Sequence, residues 1–592
     1  MGKSRFSLIL LVLFPLFSWS QLEKKDSLLG NFTPEYDEII QYYKQLADSF
    51  PNSRLIEMGK TDIGKPLHLF VINSESFSAI EELKTSGKVF LLINNGIHPG
   101  EPDGINASIL FAREILNEKK SEFLQNCVIG IIPVYNVDGC LNRGKYSRAN
   151  QDGPEEYGFR GNARNLDLNR DFIKMDSENA RSFAKIFHSF NPHLLIDTHV
   201  SNGADYQYTM TFITSQICKL DGNLKQLAID KIEPALHKHM KKMKFEMSPY
   251  VNTIGEKPES GIADFLETPR FATGYASLFD VLGFTTETHM LKPFPQRVKA
   301  TLEFFKGMKS VIIENKGEIL KSKKEAEKNT AKLGGRLGYN YSLDTSSFQL
   351  IDFKGYEGVY QKSEVTGLDR LFYDQTKPFT KKIKYFRHYK SEITTVKPFC
   401  YIIPQAWKEV VERLALNDVE LYQVKTDTTL EAFVYFIEEF ETTKKPYEGH
   451  YLHTKIKNST RKLNMKVYRG DYIVFTGKNT DKYVVETLEP NSMDSFFAWN
   501  FFDEILQQKE WFSDYVFEDI AVQLLNENAE LKNKFEEKKK GDIKFSEDAF
   551  AQLLFIYNES KYKEKTHNLY PVYRIESDSS PEAVIIKKIS WR

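Results

Sequence analysis

Cysteine is scarce: four residues in 592, at positions 127, 140, 218 and 400. So few and so scattered, they exclude a scaffold built on disulfides, and 41% apolar residues in a chain this long supply cores without such staples. Cys127 opens an apolar run and Cys400 lies between Phe399 and Tyr401, settings that suit buried thiols, while a Cys127–Cys140 bridge is left open by spacing alone. Net charge is also lacking. Lys plus Arg total 80 against 81 Asp plus Glu, a balance of -1, so nucleic acid is not an expected partner. Repeats and low-complexity tracts are missing, and past residue 20 no stretch is apolar enough to cross a bilayer. The apolar run from Phe6 to Phe17 is itself shorter than the roughly 20 residues of a span. With Lys3 and Arg5 before it and Ser18-Trp19-Ser20 after it, residues 1–20 read as a signal peptide. The mature chain is expected to start near Gln21 and to be exported, to a periplasm or out of the cell, with no stable membrane span after cleavage.

What is present is a set of apolar runs that end in chemistry. Residues 53–73 alternate around a glycine-bearing turn and predict a hairpin. Strands are then predicted from Val89 and at 128–134, 193–199 and 284–288. Helices are predicted over 103–117, around Phe183, Ile186 and Phe187, over 224–243 and 274–282, and beyond Pro293. Alternating strands and helices predict an α/β fold, a sheet flanked by helices. Apolar density falls and charge rises at 321–332, which places a boundary between a first domain, residues 21–325, and an accessory α+β region, residues 326–592, of unknown role. In that region strands are predicted at 465–477 and 482–488, and helices at 405–414 and 546–557 with Ser546 as N-cap. The aromatic group Phe496, Phe497, Trp499, Phe501 and Phe502 reads as core, and Lys538-Lys539-Lys540 as a solvated loop.

The stretch VFLLINNGIHPGEPDG, residues 89–104, organises the rest. An apolar strand breaks at Asn94-Asn95-Gly96 and offers His98 and Glu101 on either side of Pro99-Gly100, where a turn can bring both side chains to one metal ion. A hydrolytic zinc site needs three protein ligands and one open position, and the third ligand is expected from a distant strand end. His199, closing LLIDTH, supplies it and completes a His2Glu set. The reaction also needs a base, and Glu287, in GFTTETHML, projects from a partly buried strand where a carboxylate is costly unless paired or functional. Between them, FRGNARNLDLNRDF at 159–172 crowds Arg160, Arg164 and Arg170 with Asn162, Asn165 and Asn169. Arginine forks bind carboxylates through paired hydrogen bonds, so an anionic substrate end is expected there.

These residues give the chain its resemblance to the zinc carboxypeptidase family that includes carboxypeptidases A, B and E. His98-Pro-Gly-Glu101, the string from Arg160 to Arg170, His199 and the Phe-Thr-Thr-Glu segment ending at Glu287 occur in the family's order over roughly residues 30–320. The resemblance implies a mixed sheet flanked by helices and one zinc ion held by His98, Glu101 and His199. It implies that Glu287 is the general base, that Arg160 meets the oxyanion, and that Asn169 and Arg170 hold the substrate's terminal carboxylate. It further implies that Asp167 accepts the outer ring N–H of His98. The substrates so implied are peptide or protein C-termini, shortened one residue at a time. Cell-wall peptides, which also end in a carboxylate, are an alternative, and a non-catalytic peptide-binding role a weaker one. For the tyrosine that closes over the substrate, Tyr250 and Tyr275 are both candidates, and the residue that sets side-chain preference falls within 260–275.

Overall fold

A computed structural model describes residues 28–576 and 585–588; the expected signal peptide lies outside the described residues. The chain forms two compact units, one comprising the chain up to Lys397 with Glu412–Val419 and Gly477–Glu486, the other the remainder.

The first unit is built on an eight-stranded mixed sheet. Its strands in chain order are β1 (Ser53–Lys60), β2 (Pro66–Ile72), β3 (Val89–Asn94), β4 (Cys127–Ile132), β5 (Leu194–Ser201), β6 (Met210–Thr214) and β7 (Met247–Pro249). Two short strands, β8 (Asn252–Thr253) and β9 (Ile262–Ala263), belong to another sheet, and β10 (Leu282–His289) completes the first. The spatial order is β1-β2-β4-β3-β5-β10-β6-β7. β4, β3, β5 and β10 run parallel at its centre, and every residue of β3, β4 and β5 is buried, as in strands covered on both faces. Helices α1 (Asp103–Leu116), α2 (Glu178–Phe190) and α3 (Phe294–Thr330) provide cover: α1 packs on α3, where the Phe111 and Phe305 rings lie 5.6 Å apart, and α2 packs on β1. After β3 the chain moves to one side, to β4, and then returns to the other side, to β5. The crevice beyond the carboxyl ends of β3 and β5 is therefore a topological switch point, where such sheets bind ligands. His98 and Glu101 follow β3, and His199 lies near the end of β5.

The boundary expected at 325/326 falls inside α3, which continues to Thr330. Past it, β11 (Arg336–Leu343) pairs with a later strand, β14 (Tyr389–Val396). Between them a long hairpin of β12 (Gln349–Lys362) and β13 (Asp369–Phe386) joins β9 and β8 in a four-stranded sheet, with Tyr385 and Phe386 paired to Ile262 and Ala263. Tyr206, Tyr208, Ile262, Phe353, Ile383 and Tyr385 form the core beneath it.

The second unit carries a seven-stranded sheet, and Cys400, Ile402, Val434, Ile473 and Ile575 are buried in its core. Phe496, Phe497, Trp499 and Phe502 are fully buried, as core. Three local expectations are corrected. Residues 481–488 are helical, because Val484 and Leu488 bury at helical spacing although the valine pair mimics a strand. The helix Ala549–Asn558 is capped by Asp548, whose side chain accepts from Ala551 N, and Ser546 instead ends the preceding turn. Lys538, Lys539 and Lys540 occupy the last turn of the helix Ala529–Gly541, where cations suit the terminal carbonyls. All four cysteines are unpaired, so no Cys127–Cys140 bridge forms.

Candidate metal centre and substrate pocket

Three ligand atoms converge at the switch point. His199 Nδ1 lies 3.2 Å from His98 Nδ1 and 3.1 Å from Glu101 Oε2, and His98 Nδ1 lies 3.3 Å from Glu101 Oε1. All three residues are buried. The outer nitrogens are engaged elsewhere: His98 Nε2 meets Asp167 Oδ1 at 2.9 Å and His199 Nε2 meets Asp197 Oδ2 at 2.8 Å. With each Nε2 donating to its carboxylate, both Nδ1 atoms are lone-pair acceptors, and they face each other and a third acceptor. Nothing neutral satisfies that arrangement. A tetrahedral zinc with bonds of about 2.0–2.1 Å sets its ligand atoms about 3.3 Å apart, so the donor set fits such an ion in chemistry and in spacing.

Electrostatics point the same way. Burial pushes the His199 imidazolium down, but Asp197 and Glu101 outweigh it and hold the ring well above its ordinary range. Burial raises the Glu101 carboxyl, and Arg148 with His98 pull it well below the usual carboxylate range. The centre thus concentrates negative charge that a proton holds in the absence of a metal cation.

Sheet register positions Glu287. β10 pairs with β5 in parallel so that Glu287 sits beside His199 and Thr285 beside Asp197, all four on one face. Burial pushes the Glu287 carboxyl up to about 8, with Glu101 adding to the rise.

The Arg/Asn string divides its labour. Arg160 reaches the centre, with Nε and Nη2 on Asp167 Oδ2 at 3.0 and 2.9 Å and Nη1 3.5 Å from Glu101 Oε1. Asn169 fixes its amide by accepting from Ala272 N at 3.3 Å, which leaves Nδ2 3.5 Å from His199 Nε2. Arg170 lays its guanidinium over the Phe271 ring at 4.2 Å. Asn162 and Arg164 build the loop instead: Asn162 Oδ1 accepts from Arg164 N and Leu166 N, and Arg164 donates to the Asp176 carbonyl. Asn165 supplies a left-handed turn at φ 59°.

A cavity of about 330 Å³ joins these groups; His98, Glu101, His199, Arg160, Asn169, Arg170 and Glu287 all line it. Tyr250 also lines it, half-buried, with its ring 5.9 Å from that of Phe265. Tyr275 does not: it is fully buried, its hydroxyl donating to Asn417 Oδ1 at 2.5 Å. Sequence reasoning missed Arg148, which reaches Glu101 Oε1 at 2.8 Å, as well as Asp197, Phe271 and Glu267. Asp197 had a signal, since it precedes His199 by two residues on a strand and so shares its face.

A parallel-centred sheet with two histidines and a glutamate at its switch point, a buried carboxylate alongside and arginines across the cavity defines a metallohydrolase. Residues 39–194 match the family described as zinc carboxypeptidase, and the chain is a metallopeptidase carrying a domain of that kind. Carboxypeptidase 2 of Trichophyton rubrum is 22% identical over 494 residues, covering 79% of this chain and 84% of that protein. Carboxypeptidase 2 of Trichophyton equinum is 22% identical over 449 residues, covering 72% and 76%. Among solved structures, a metallo-carboxypeptidase from Burkholderia cenocepacia superposes with TM-score 0.35 at 14% identity, over 47% of this chain and 69% of that one. Among described residues, no helix is long and apolar enough to cross a membrane.

Proposed function

We propose that the protein is an exported zinc carboxypeptidase that removes single residues from the C-termini of peptides, using one zinc ion held by His98, Glu101 and His199. The observation that carries this reading is the convergence of three acceptor atoms within 3.1–3.3 Å of one another beside Glu287 and across a cavity from Arg170. Zinc held there would supply Lewis acidity, making a water nucleophilic near neutral pH and drawing charge from the scissile carbonyl. Glu287 takes the proton from the attacking water and returns it to the leaving amine, a task suited to a carboxyl whose affinity for protons burial has raised. Arg160 meets the charge that develops on the carbonyl oxygen. Asn169 Nδ2 and the Arg170 fork hold the terminal carboxylate, so that only the last peptide bond lies against the base. Asp167 and Asp197 orient the two imidazoles. Export is supported by the charged start, apolar run and small-x-small close of residues 1–20.

The test is digestion of a mixed library of unblocked and C-terminally amidated peptides by zinc-loaded protein, read by mass spectrometry with a chelator control. Loss of single residues from unblocked peptides alone is expected. Internal cleavage, or equal cleavage of amidated peptides, would overturn the reading.

A further inference from the structure

The catalytic cavity holds one carboxylate that the mechanism above leaves without a task. Glu267 lines the same cavity as Glu287 and Arg170, and only 4% of it is exposed. Its carboxyl accepts hydrogen bonds from the hydroxyls of Thr273 and Thr285. Lys219 comes near, but its ammonium donates to the Glu267 backbone carbonyl at 2.6 Å. Among the described residues, no lysine or arginine nitrogen forms an ion pair with the Glu267 carboxyl, in contrast to Glu101, Asp103 and Asp167. A buried acid held only by neutral hydroxyls is costly as an anion, and burial has raised its affinity for protons, up to about 7.

Its place in the cavity is set by the sheet. Thr285, which donates to Glu267, stands two residues before Glu287 on the same face of β10, so Glu267 lies deeper along the strand by roughly 6.8 Å. A terminal residue whose carboxylate rests on Arg170 would send its side chain from the level of Glu287 down towards Glu267. The walls on that path are apolar, with Phe265 and Phe271 facing the cavity. The cavity is therefore divided by charge: guanidinium groups at one end, an acid with no cation at the other, and aromatic rings between.

We propose that Glu267 selects substrates whose C-terminal residue carries a positive side chain, lysine or arginine. The methylenes of such a side chain pack on the phenylalanine rings, and its ammonium or guanidinium supplies the charge that Glu267 lacks. This inference rests on the carboxypeptidase reading and refines it.

The experiment compares peptides identical except for a terminal Lys, Arg, Leu or Phe, with zinc-loaded wild type and with Glu267→Gln. For wild type, kcat/KM is expected to be about 30-fold or more higher for Lys and Arg than for Leu, the scale of a desolvated ion pair. Glu267→Gln keeps the shape and the threonine partners, and is expected to collapse that ratio by about the same factor. Wild type that cleaves Leu or Phe peptides as well as Lys peptides would overturn the inference and leave the carboxypeptidase reading standing. Absence of release from every unblocked peptide would overturn both. The wild-type ratio needs no variant to fold. In the variant, an equal fall for Lys and Leu peptides would mark Glu267 as merely structural and also overturn the inference.

Discussion

Two clusters of buried charge lie close together in sequence and mean opposite things. Lys174 is fully buried between Asp171 and Asp176, its ammonium 2.6 and 2.8 Å from their oxygens. Asp171 also accepts from the N–H groups of Asp176 and Ser177 and from the Ser177 hydroxyl, and Arg413 closes the cluster on Asp176 at 3.0 Å. Donors there face acceptors throughout. At His98, Glu101 and His199 three acceptor atoms face one another. Burial of charge is common to both, so burial alone does not mark a functional site. The mark is an arrangement that only an added cation can satisfy.

Breaking each cluster is expected to produce different failures. His199→Ala should remove tightly bound zinc, read by metal analysis after dialysis, and bring peptidase activity to background while the fold persists. Lys174→Met leaves two buried carboxylates unpaired, which costs about 3–5 kcal/mol of stability, read by denaturant unfolding. The folded fraction should still bind zinc. If Lys174→Met lost zinc without losing stability, or His199→Ala kept zinc, the contrast between the clusters would fail.

Glu287→Gln sharpens the comparison inside the site. Zinc content should stay near that of wild type while kcat falls by about 10²–10⁴-fold, the usual range for a positioned acid–base group. Near-normal turnover would remove Glu287 from the role of base. The same variant has a pH signature in the metal-free protein. Burial raises the folded-state carboxyl to about 8, above its unfolded value, so protonated Glu287 contributes stability that is fully present below the unfolded value and is lost as pH rises through about 8. Gln cannot ionise. Metal-free Glu287→Gln should therefore gain melting temperature relative to wild type at pH 8.5 and gain little at pH 4.5; the opposite ordering would contradict a buried, acid-favouring site.

Smaller effects are expected at the carboxylate end. Arg170→Met should reduce kcat/KM for unblocked peptides by about 10²-fold or more, the scale of a lost charge-assisted pair, and should change slow turnover of amidated peptides far less. Equal losses on both would take Arg170 out of the clamp.

How much of this was legible in the sequence depends on whether a residue's neighbours are fixed locally or by topology. His98 and Glu101 share one turn, and Asn169 and Arg170 share another, so their pairing is written in a few consecutive residues. His199 and Glu287 needed only strand ends, which apolar runs reveal. Glu267 and Arg148 reach the cavity from irregular segments with no periodicity, and their positions follow from how those segments cross the sheet. Arg164, by contrast, sits inside the motif yet turns away to the Asp176 carbonyl, because Asn162 and the left-handed Asn165 bend the loop between them. The boundary at 325 was misplaced against the compact unit for a related reason. The charged end of α3 reads as a linker, but β13 returns to pair with β9, bringing Tyr385 beside Ile262 from far along the chain. The match to the Trichophyton rubrum protein, covering 79% of this chain, likewise extends beyond the first domain drawn from sequence.

The two tyrosines left open by sequence give the finest version of the same contrast. Tyr250 borders the cavity, and Tyr275 is sealed among Asn417, His188 and the Phe187 ring. Tyr250→Phe removes a hydroxyl that can reach substrate, and should lower kcat/KM by about 2–10-fold, the value of one hydrogen bond, with little change in melting temperature. Tyr275→Phe strips Asn417 of its buried donor and should cost about 1–3 kcal/mol of stability while kcat of the folded enzyme is kept. Paired kinetics and melting curves on the two variants decide the matter. A catalytic loss at Tyr275 with none at Tyr250 would mean that the cavity wall opens far enough to expose a residue now at 0% exposure, and that the closing group comes from beneath the wall rather than from its rim.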